Sequence, residues 1–208
     1  MIRIAVGGSS ANPPQIGHAN LLQGLIDSGE FEKIVWIPCG KRNDKAGYAE
    51  ARHRLEMTKI MLECLKPRQG VTIELREDDV WRTNTPTITW LERIKAENEG
   101  AEVWWFTGAD TVTPEVDNRC EVERCWHRGG ELIRNWPLLI VPRPGYKLPA
   151  FTNSYWNKFI RVKKLQTKLM DVSSTLLRTK LARGEAISDL TLPGIENYIS
   201  SNSLYAVN

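Results

Sequence analysis

The chain has 208 residues, of which 41% are hydrophobic and 25% are charged, and its formal net charge is +3. This composition is ordinary for a globular domain, and so small a net charge does not indicate a nucleic-acid partner. No apolar run reaches the roughly 18 residues that a bilayer span needs, and residues 1–6 are too short before the glycines to form a signal peptide. We therefore expect a cytoplasmic protein with neither a membrane nor a nucleic-acid partner.

Short segments rich in Val and Ile alternate with segments whose apolar residues have helical spacing. The predicted strands are residues 2–6, 33–37, 71–75, 103–107 and 138–141, with a final strand over 159–162. Helices are predicted around 19–26, 51–65 and 88–94, then from Ser174 to Arg183 and after Pro193. This alternation predicts an α/β fold, a Rossmann-like open parallel sheet with helices on both faces. One domain over 1–208 is the simplest organisation, with an α/β core (1–142) and a C-terminal helical part that binds phosphate (143–208).

The first predicted strand runs directly into the segment GGSSANPPQIGH, residues 7–18. In an open parallel sheet, ligands bind beyond the carboxyl ends of the strands. Gly7 and Gly8 would let the backbone approach a ligand, and the helix that follows offers free N–H groups to an anion. His18 is predicted near the start of that helix, where its imidazole can reach a phosphate. A surface or capping histidine is the alternative interpretation.

A second candidate phosphate segment reads VSSTLLR, residues 172–178, and opens the helix predicted from Ser174. With Ser174 near the N-cap, Thr175 lies in the first turn and Arg178 one turn further on the same face. Hydroxyls, free N–H groups and a guanidinium can then converge on one anion. A Ser/Thr helix cap followed by a surface arginine is the simpler alternative.

The two segments together resemble the nicotinate/nicotinamide mononucleotide adenylyltransferases, within the wider HxGH nucleotidyltransferase superfamily. That family has the pattern G-[ST]-F-[DN]-P-x-[HT]-x-G-H, followed much later by I-S-S-T-x-x-R. The first pattern is matched here by Ser10, Asn12, Pro13, Gly17 and His18. Three positions depart from it: Ser9 replaces a glycine, Ala11 an aromatic residue, and Gln15 the first His or Thr.

The resemblance implies specific roles for residues of this chain. Catalytic roles fall to His18 and Arg178. Binding of ATP phosphates falls to Gly8, Ser9, Ser10, Gln15, Gly17, Lys45, Ser174 and Thr175. Binding of the mononucleotide and its ribose falls to Asn12, Gly108, Asp110, Trp126 and Arg143. Which tryptophan stacks on the pyridine ring, Trp81, Trp90 or Trp126, is left open.

The implied reaction transfers AMP from ATP to nicotinate or nicotinamide mononucleotide (NaMN or NMN). It releases pyrophosphate and forms the dinucleotide NaAD or NAD, as a step of NAD biosynthesis. Mg²⁺ is expected to accompany ATP, and assembly into a homo-oligomer is left open. The alternatives are another adenylyl- or cytidylyltransferase of the superfamily, for example one acting on phosphopantetheine, and a non-catalytic nucleotide sensor.

Overall fold

The structure is a computed structural model that describes residues 1–41, 47–115, 117–146, 148, 150, 154–168 and 170–205. Its sheet has six parallel strands in the order β3-β2-β1-β4-β5-β6. The strands are β1 (Arg3–Ser9), β2 (Lys33–Pro38), β3 (Thr72–Leu75), β4 (Glu102–Gly108), β5 (Leu138–Val141) and β6 (Val162–Lys164). The predicted open parallel sheet is confirmed.

Eight α-helices connect and flank the strands within the described residues. They are α1 (Ile16–Ser28), α2 (Ala51–Glu63), α3 (Thr87–Glu97), α4 (Ala109–Val112), α5 (Glu121–Cys125), α6 (Gly129–Asn135), α7 (Ser174–Ala182) and α8 (Pro193–Ser201). Short 3₁₀ helices span Asp79–Trp81 and Trp156–Lys158. No helix in the described part of the chain is both long and apolar enough to cross a membrane.

Helices cover both faces of the sheet. Successive strand residues point to opposite sides, and apolar side chains on both sides pack against helices. Ile4 and Val6 belong to the core shared with α3, α5 and α6, whereas Ala5 belongs to the core shared with α1, α2, α7 and α8. Both faces are apolar, as expected for a parallel sheet buried between two helical layers.

β1 lies in the middle of the sheet, paired with β2 on one side and β4 on the other. The chain order reverses between β1 and β4, so the crevice beyond their carboxyl ends is the expected ligand position for such a sheet. The fold therefore places the loop after β1 at the centre of the molecule's binding edge.

Two predictions of local structure were wrong or incomplete. The last strand is β6 at 162–164, not 159–162, because Trp156–Lys158 form a 3₁₀ helix and Phe159 packs into the core. Helices α4, α5 and α6 were not predicted. Residues 143–208 also contribute β6 to the sheet, in addition to α7 and α8.

Candidate active site

A cleft of about 780 Å³ opens at the carboxyl ends of the central strands. Its size suits a nucleotide-sized ligand. Apart from the alternative stacking candidate Trp81, every predicted site residue that the structure describes lines this cleft. Lys45 lies outside the described residues, so its contribution stays a prediction. The loop after β1 and the start of α7 thus face one cavity, as the sequence predicted.

The two glycines at the end of β1 are needed because neighbouring strands leave no room for a side chain. A Cβ on Gly7 would lie 2.3 Å from the Phe106 ring, and a Cβ on Gly8 would lie 1.9 Å from the carbonyl oxygen of Ile37. Both distances are far below any real contact of a Cβ atom. The glycines therefore set the close spacing of β1, β2 and β4 beneath the cleft.

The loop from Ser10 to Pro14 is held by side chains from the C-terminal part of the chain. Arg178 Nη1 donates to the carbonyl of Asn12 at 2.7 Å, Ser174 Oγ to that of Pro13 at 2.8 Å, and Thr191 Oγ1 to that of Pro14 at 3.0 Å. Prolines have no backbone N–H, so this loop has few donors of its own. Three successive carbonyls are instead satisfied from α7 and the segment before α8.

The Asn12 side chain is almost fully buried and makes three hydrogen bonds within the protein. Its Nδ2 donates to the carbonyl of Gly47 at 2.9 Å, and its Oδ1 accepts from the Ala49 N–H at 2.9 Å and the Tyr205 hydroxyl at 2.8 Å. Nδ2 has a second N–H besides the one bound to Gly47, and a contact between Asn12 and the mononucleotide stays a prediction.

The first turn of α1 closes a capping box around the predicted catalytic histidine. Gln15 is the N-cap, and its Oε1 accepts from the Gly17 N–H. In return, the Gln15 N–H donates to Nδ1 of His18 at 3.2 Å. The Gln15 Nε2 atom makes no hydrogen bond to the described residues, so it can still serve an anion in the cleft. Gln15 is therefore both a helix cap and a neutral donor.

The capping box determines which nitrogen of His18 carries the proton. Because Nδ1 accepts the Gln15 N–H, the neutral ring must be protonated at Nε2. Burial, and secondarily the positive charge of Arg143, lower the pKa of His18 from 6.5 to about 4. The imidazole is thus neutral near pH 7 and has one N–H donor, on Nε2.

At α7, the N-cap is Ser173 rather than Ser174. The Ser173 Oγ accepts from the Leu176 N–H at 3.1 Å, and Ser174 is the first helical residue. Arg178 Nη2 donates to Thr175 Oγ1 at 3.3 Å, so the hydroxyl and guanidinium of the motif lie side by side. The first-turn N–H groups of α7 and these side chains form a cationic wall of the cleft.

Asp110 and Arg143, which both line the cleft, form an ion pair. Asp110 Oδ2 accepts from Arg143, whereas Oδ1 is buried and has no hydrogen-bond partner among the described residues. A Cβ on Gly108 would lie 2.2 Å from that oxygen. A buried acceptor without a donor is costly, which is consistent with the predicted contact to a ribose hydroxyl.

The three candidate tryptophans occupy different environments. Trp126 is half-buried, lines the cleft, and is held by a hydrogen bond from its Nε1 to Glu121 Oε1 at 3.1 Å. Trp90 is 4% exposed and also lines the cleft. Trp81 is 58% exposed and is not among the cleft-lining residues. Trp126 and Trp90 therefore remain as stacking candidates, and Trp81 does not.

Two buried charged residues hold the rim of the cleft, and sequence reasoning gave them no role. Arg54 is 2% exposed and donates to the carbonyls of Ser10, Cys39 and Val80 at 3.0, 2.6 and 3.2 Å. Asp79 accepts from the N–H groups of Gly40 and Thr85 at 2.9 and 3.1 Å. The position of Arg54 on the apolar face of α2, next to Leu55, is the one signal in the sequence that indicated burial.

Comparison with known proteins identifies the family. A family model described as cytidylyltransferase-like matches residues 6–180. The chain belongs to the cytidylyltransferase-like family. The end of β1, the loop after it and the first turns of α7 fall inside the matched region.

Three similar proteins cover nearly the whole chain. A probable nicotinate-nucleotide adenylyltransferase of Caldicellulosiruptor bescii is 23% identical over 98% of this chain and 99% of its own length. One of Laribacter hongkongensis is 28% identical over 98% and 95%. The solved structure of Plasmodium falciparum nicotinic acid mononucleotide adenylyltransferase complexed with NaAD aligns with a TM-score of 0.83 at 23% identity, over 99% of this chain and 98% of that one. This structural match shows that the chain has the same fold as the Plasmodium falciparum protein.

Proposed function

We propose that this protein transfers AMP from ATP to nicotinate mononucleotide, releasing pyrophosphate and forming NaAD. The observation that carries the proposal is that His18 and Arg178, 160 positions apart in sequence, line one cleft and are joined through the loop between Ser10 and Gln15. The names of the similar proteins support the same reaction. We further propose that residues 1–208 act as one domain, since donors at 174–205 hold a loop at 10–14.

The reaction is a direct displacement. An oxygen of the mononucleotide 5′-phosphate attacks the α-phosphorus of ATP, and the bond from that phosphorus to the bridging oxygen of the β-phosphate breaks. Such transfers are accelerated mainly by alignment and by stabilising charge that builds on the phosphate oxygens. In this proposal the Nε2–H of His18 donates to an oxygen of the α-phosphate. Ser10, Thr175 and the free N–H groups at the start of α7 would bind the other phosphates.

Arg178 has two tasks in this proposal. Its Nη1 already supports the Asn12 carbonyl, and the rest of the guanidinium faces the cleft beside Thr175. Arg178→Ala should therefore raise the KM for ATP and also lower kcat, because the loop loses a support. An Arg178→Ala enzyme with unchanged constants would show that α7 is only structural.

The donor set of the cleft fits a magnesium ion that arrives on the triphosphate. The cleft carboxylate of Asp110 is paired with Arg143, and that of Asp79 accepts backbone N–H groups. Among the described residues, no three His, Cys, Asp or Glu side chains are grouped closely enough to hold a metal. The ion would then be held by phosphate oxygens and water, and it would neutralise their charge. The magnesium ion, the cytoplasmic location and the oligomeric state stay predictions.

The acid form of the acceptor is favoured by the start of α3. Its N-cap is Pro86, no side chain caps its first turn, and Thr85, Pro86 and Thr87 line the cleft next to Trp90. Free N–H groups at a helix N-terminus favour a carboxylate over a neutral amide. We therefore propose that the nicotinate carboxylate lies at this helix end, so that NaMN is used in preference to NMN.

Incubation with Mg-ATP and each mononucleotide tests the proposal, with pyrophosphate and dinucleotide both measured. We expect both products with NaMN, and less with NMN. His18→Ala should reduce turnover by about a hundredfold or more, the usual cost of losing a donor to the transition state. A parallel incubation replaces the mononucleotide by phosphopantetheine. Pyrophosphate release in that incubation alone would show that the acceptor is not a pyridine mononucleotide. ATP binding without pyrophosphate release would indicate a nucleotide sensor.

A further inference from the structure

Tyr205 contacts the loop after β1 from the far end of the described chain. Its hydroxyl donates to Oδ1 of Asn12 at 2.8 Å, across a sequence separation of 193 residues. Tyr205 belongs to neither phosphate-binding motif and is not among the residues that line the cleft. Its hydrogen bond to Asn12 is therefore its direct link to the cleft lining.

Asn12 is the point where four parts of the chain meet. Its backbone carbonyl accepts from Arg178 of α7, and its side chain bonds to Gly47, Ala49 and Tyr205. Ala49 and Tyr205 donate to the same oxygen, Oδ1. Among the described residues, the Tyr205 phenol is the one side-chain hydroxyl that bonds to the Asn12 amide, and it helps the backbone groups of Gly47 and Ala49 to fix the rotation of that amide.

The Tyr205 hydroxyl is suited to act as a permanent donor. Burial raises the pKa of Tyr205, so the hydroxyl keeps its proton under all working conditions. The backbone of Tyr205 has a φ of +64°, a left-handed conformation that side-chain-bearing residues rarely adopt. Residues in such conformations persist where surrounding contacts hold them, and they concentrate at functional sites.

The geometry points to Tyr205 as a positioning residue for the proposed AMP transfer. Its hydroxyl holds Asn12, and the chain runs from Asn12 through the two prolines to Gln15, whose N–H orients the His18 ring. Tyr205 thereby helps to fix the place of the Nε2–H donor relative to the α-phosphate. This inference rests on the proposed function, and it predicts an effect on turnover more than on substrate binding.

Tyr205→Phe tests the inference, because it removes the hydroxyl and keeps the ring. The matched control is Tyr198→Phe. The Tyr198 hydroxyl bonds to Nδ1 of His53 at 3.0 Å, which links α8 to α2 without touching the loop. We expect Tyr205→Phe to lower kcat about tenfold with KM changed less than about twofold, because small misplacements of catalytic groups cost turnover. Tyr198→Phe should leave both constants unchanged.

A second measurement does not depend on activity. The chain has three histidines, so ¹⁵N-labelled imidazoles can be followed individually by NMR. Tyr205→Phe should move the His18 signals, and Tyr198→Phe should move only those of His53. Equal kinetics in the two variants, or a His18 signal that Tyr205→Phe leaves in place, would overturn the inference. A wild-type protein that makes no dinucleotide defeats the proposed function instead, while the His18 signal still decides the role of Tyr205.

Discussion

The low pKa of His18 makes the stability of this protein depend on pH in a way that one variant can isolate. Folding lowers the pKa of His18 from 6.5 to about 4, through burial and the charge of Arg143. Between these values the unfolded chain binds more protons than the folded one, so stability rises with pH in this range. The contribution is complete above about pH 6.5 and is lost as the pH falls towards 4.

The size of the effect follows from the two pKa values. At about 1.4 kcal/mol per pKa unit, lowering the pKa from 6.5 to about 4 corresponds to about 3–4 kcal/mol. The half-buried ring keeps some contact with water, so we expect about 2–3 kcal/mol. His18→Gln is the suitable variant, because a glutamine at the third helical position can still accept the N-cap N–H in a capping box.

Urea unfolding of the wild type and His18→Gln at pH 7, 6, 5 and 4 measures this contribution. The wild type should lose about 2–3 kcal/mol of unfolding free energy relative to the variant between pH 7 and pH 4. An NMR titration of the imidazole should give a midpoint near 4. A midpoint near 6.5, or a constant difference between the two proteins, would refute the neutral His18 on which the proposed donor role depends.

Three further changes have defined outcomes. Arg54→Met should destabilise the fold by at least about 3 kcal/mol in urea unfolding, because three carbonyls lose their donor; a smaller loss would mean that water replaces the guanidinium. Gly8→Ala should lower the free energy of unfolding by about 1–3 kcal/mol or more, because the added Cβ would collide with the carbonyl of Ile37. A Gly8→Ala variant of normal stability would contradict the close spacing of β1 and β2. Trp126→Ala should raise the KM for the mononucleotide and leave that for ATP unchanged. Trp81→Ala is its control, and equal effects of the two on KM would remove Trp126 from the pyridine site.

Most of the sheet was predictable because its inner strands are continuous apolar runs next to glycines or polar turns. β5 has the predicted bounds, β2 ends one residue later, β4 extends by one residue at each end, and β1 begins one residue later and ends three residues later than predicted. β6 was misplaced because it is an edge strand with one apolar residue, and Lys163 on it pairs with Glu30. The apolar Phe159 just before it belongs to the core instead.

The cleft-facing residues were predictable because short polar motifs at strand and helix ends carry their chemistry in residue type and spacing. The residues that hold the loop were not. Thr191, Tyr205 and Arg54 act by donating to backbone carbonyls or to an amide far away in sequence. Any hydroxyl or cation can make such a bond, and its partner is set by tertiary structure, so the local sequence does not identify the partner.

The long separations that hold the loop also have a kinetic consequence. Its donors lie 161 to 193 residues downstream of the groups they bind, and contacts between such distant residues form slowly because a large loop must close first. After dilution from denaturant, the parallel sheet can form before the proline-containing turn is locked. Catalytic activity should then recover more slowly than secondary structure. The rate at which activity returns would be the rate at which residues 174–205 dock onto the loop after β1.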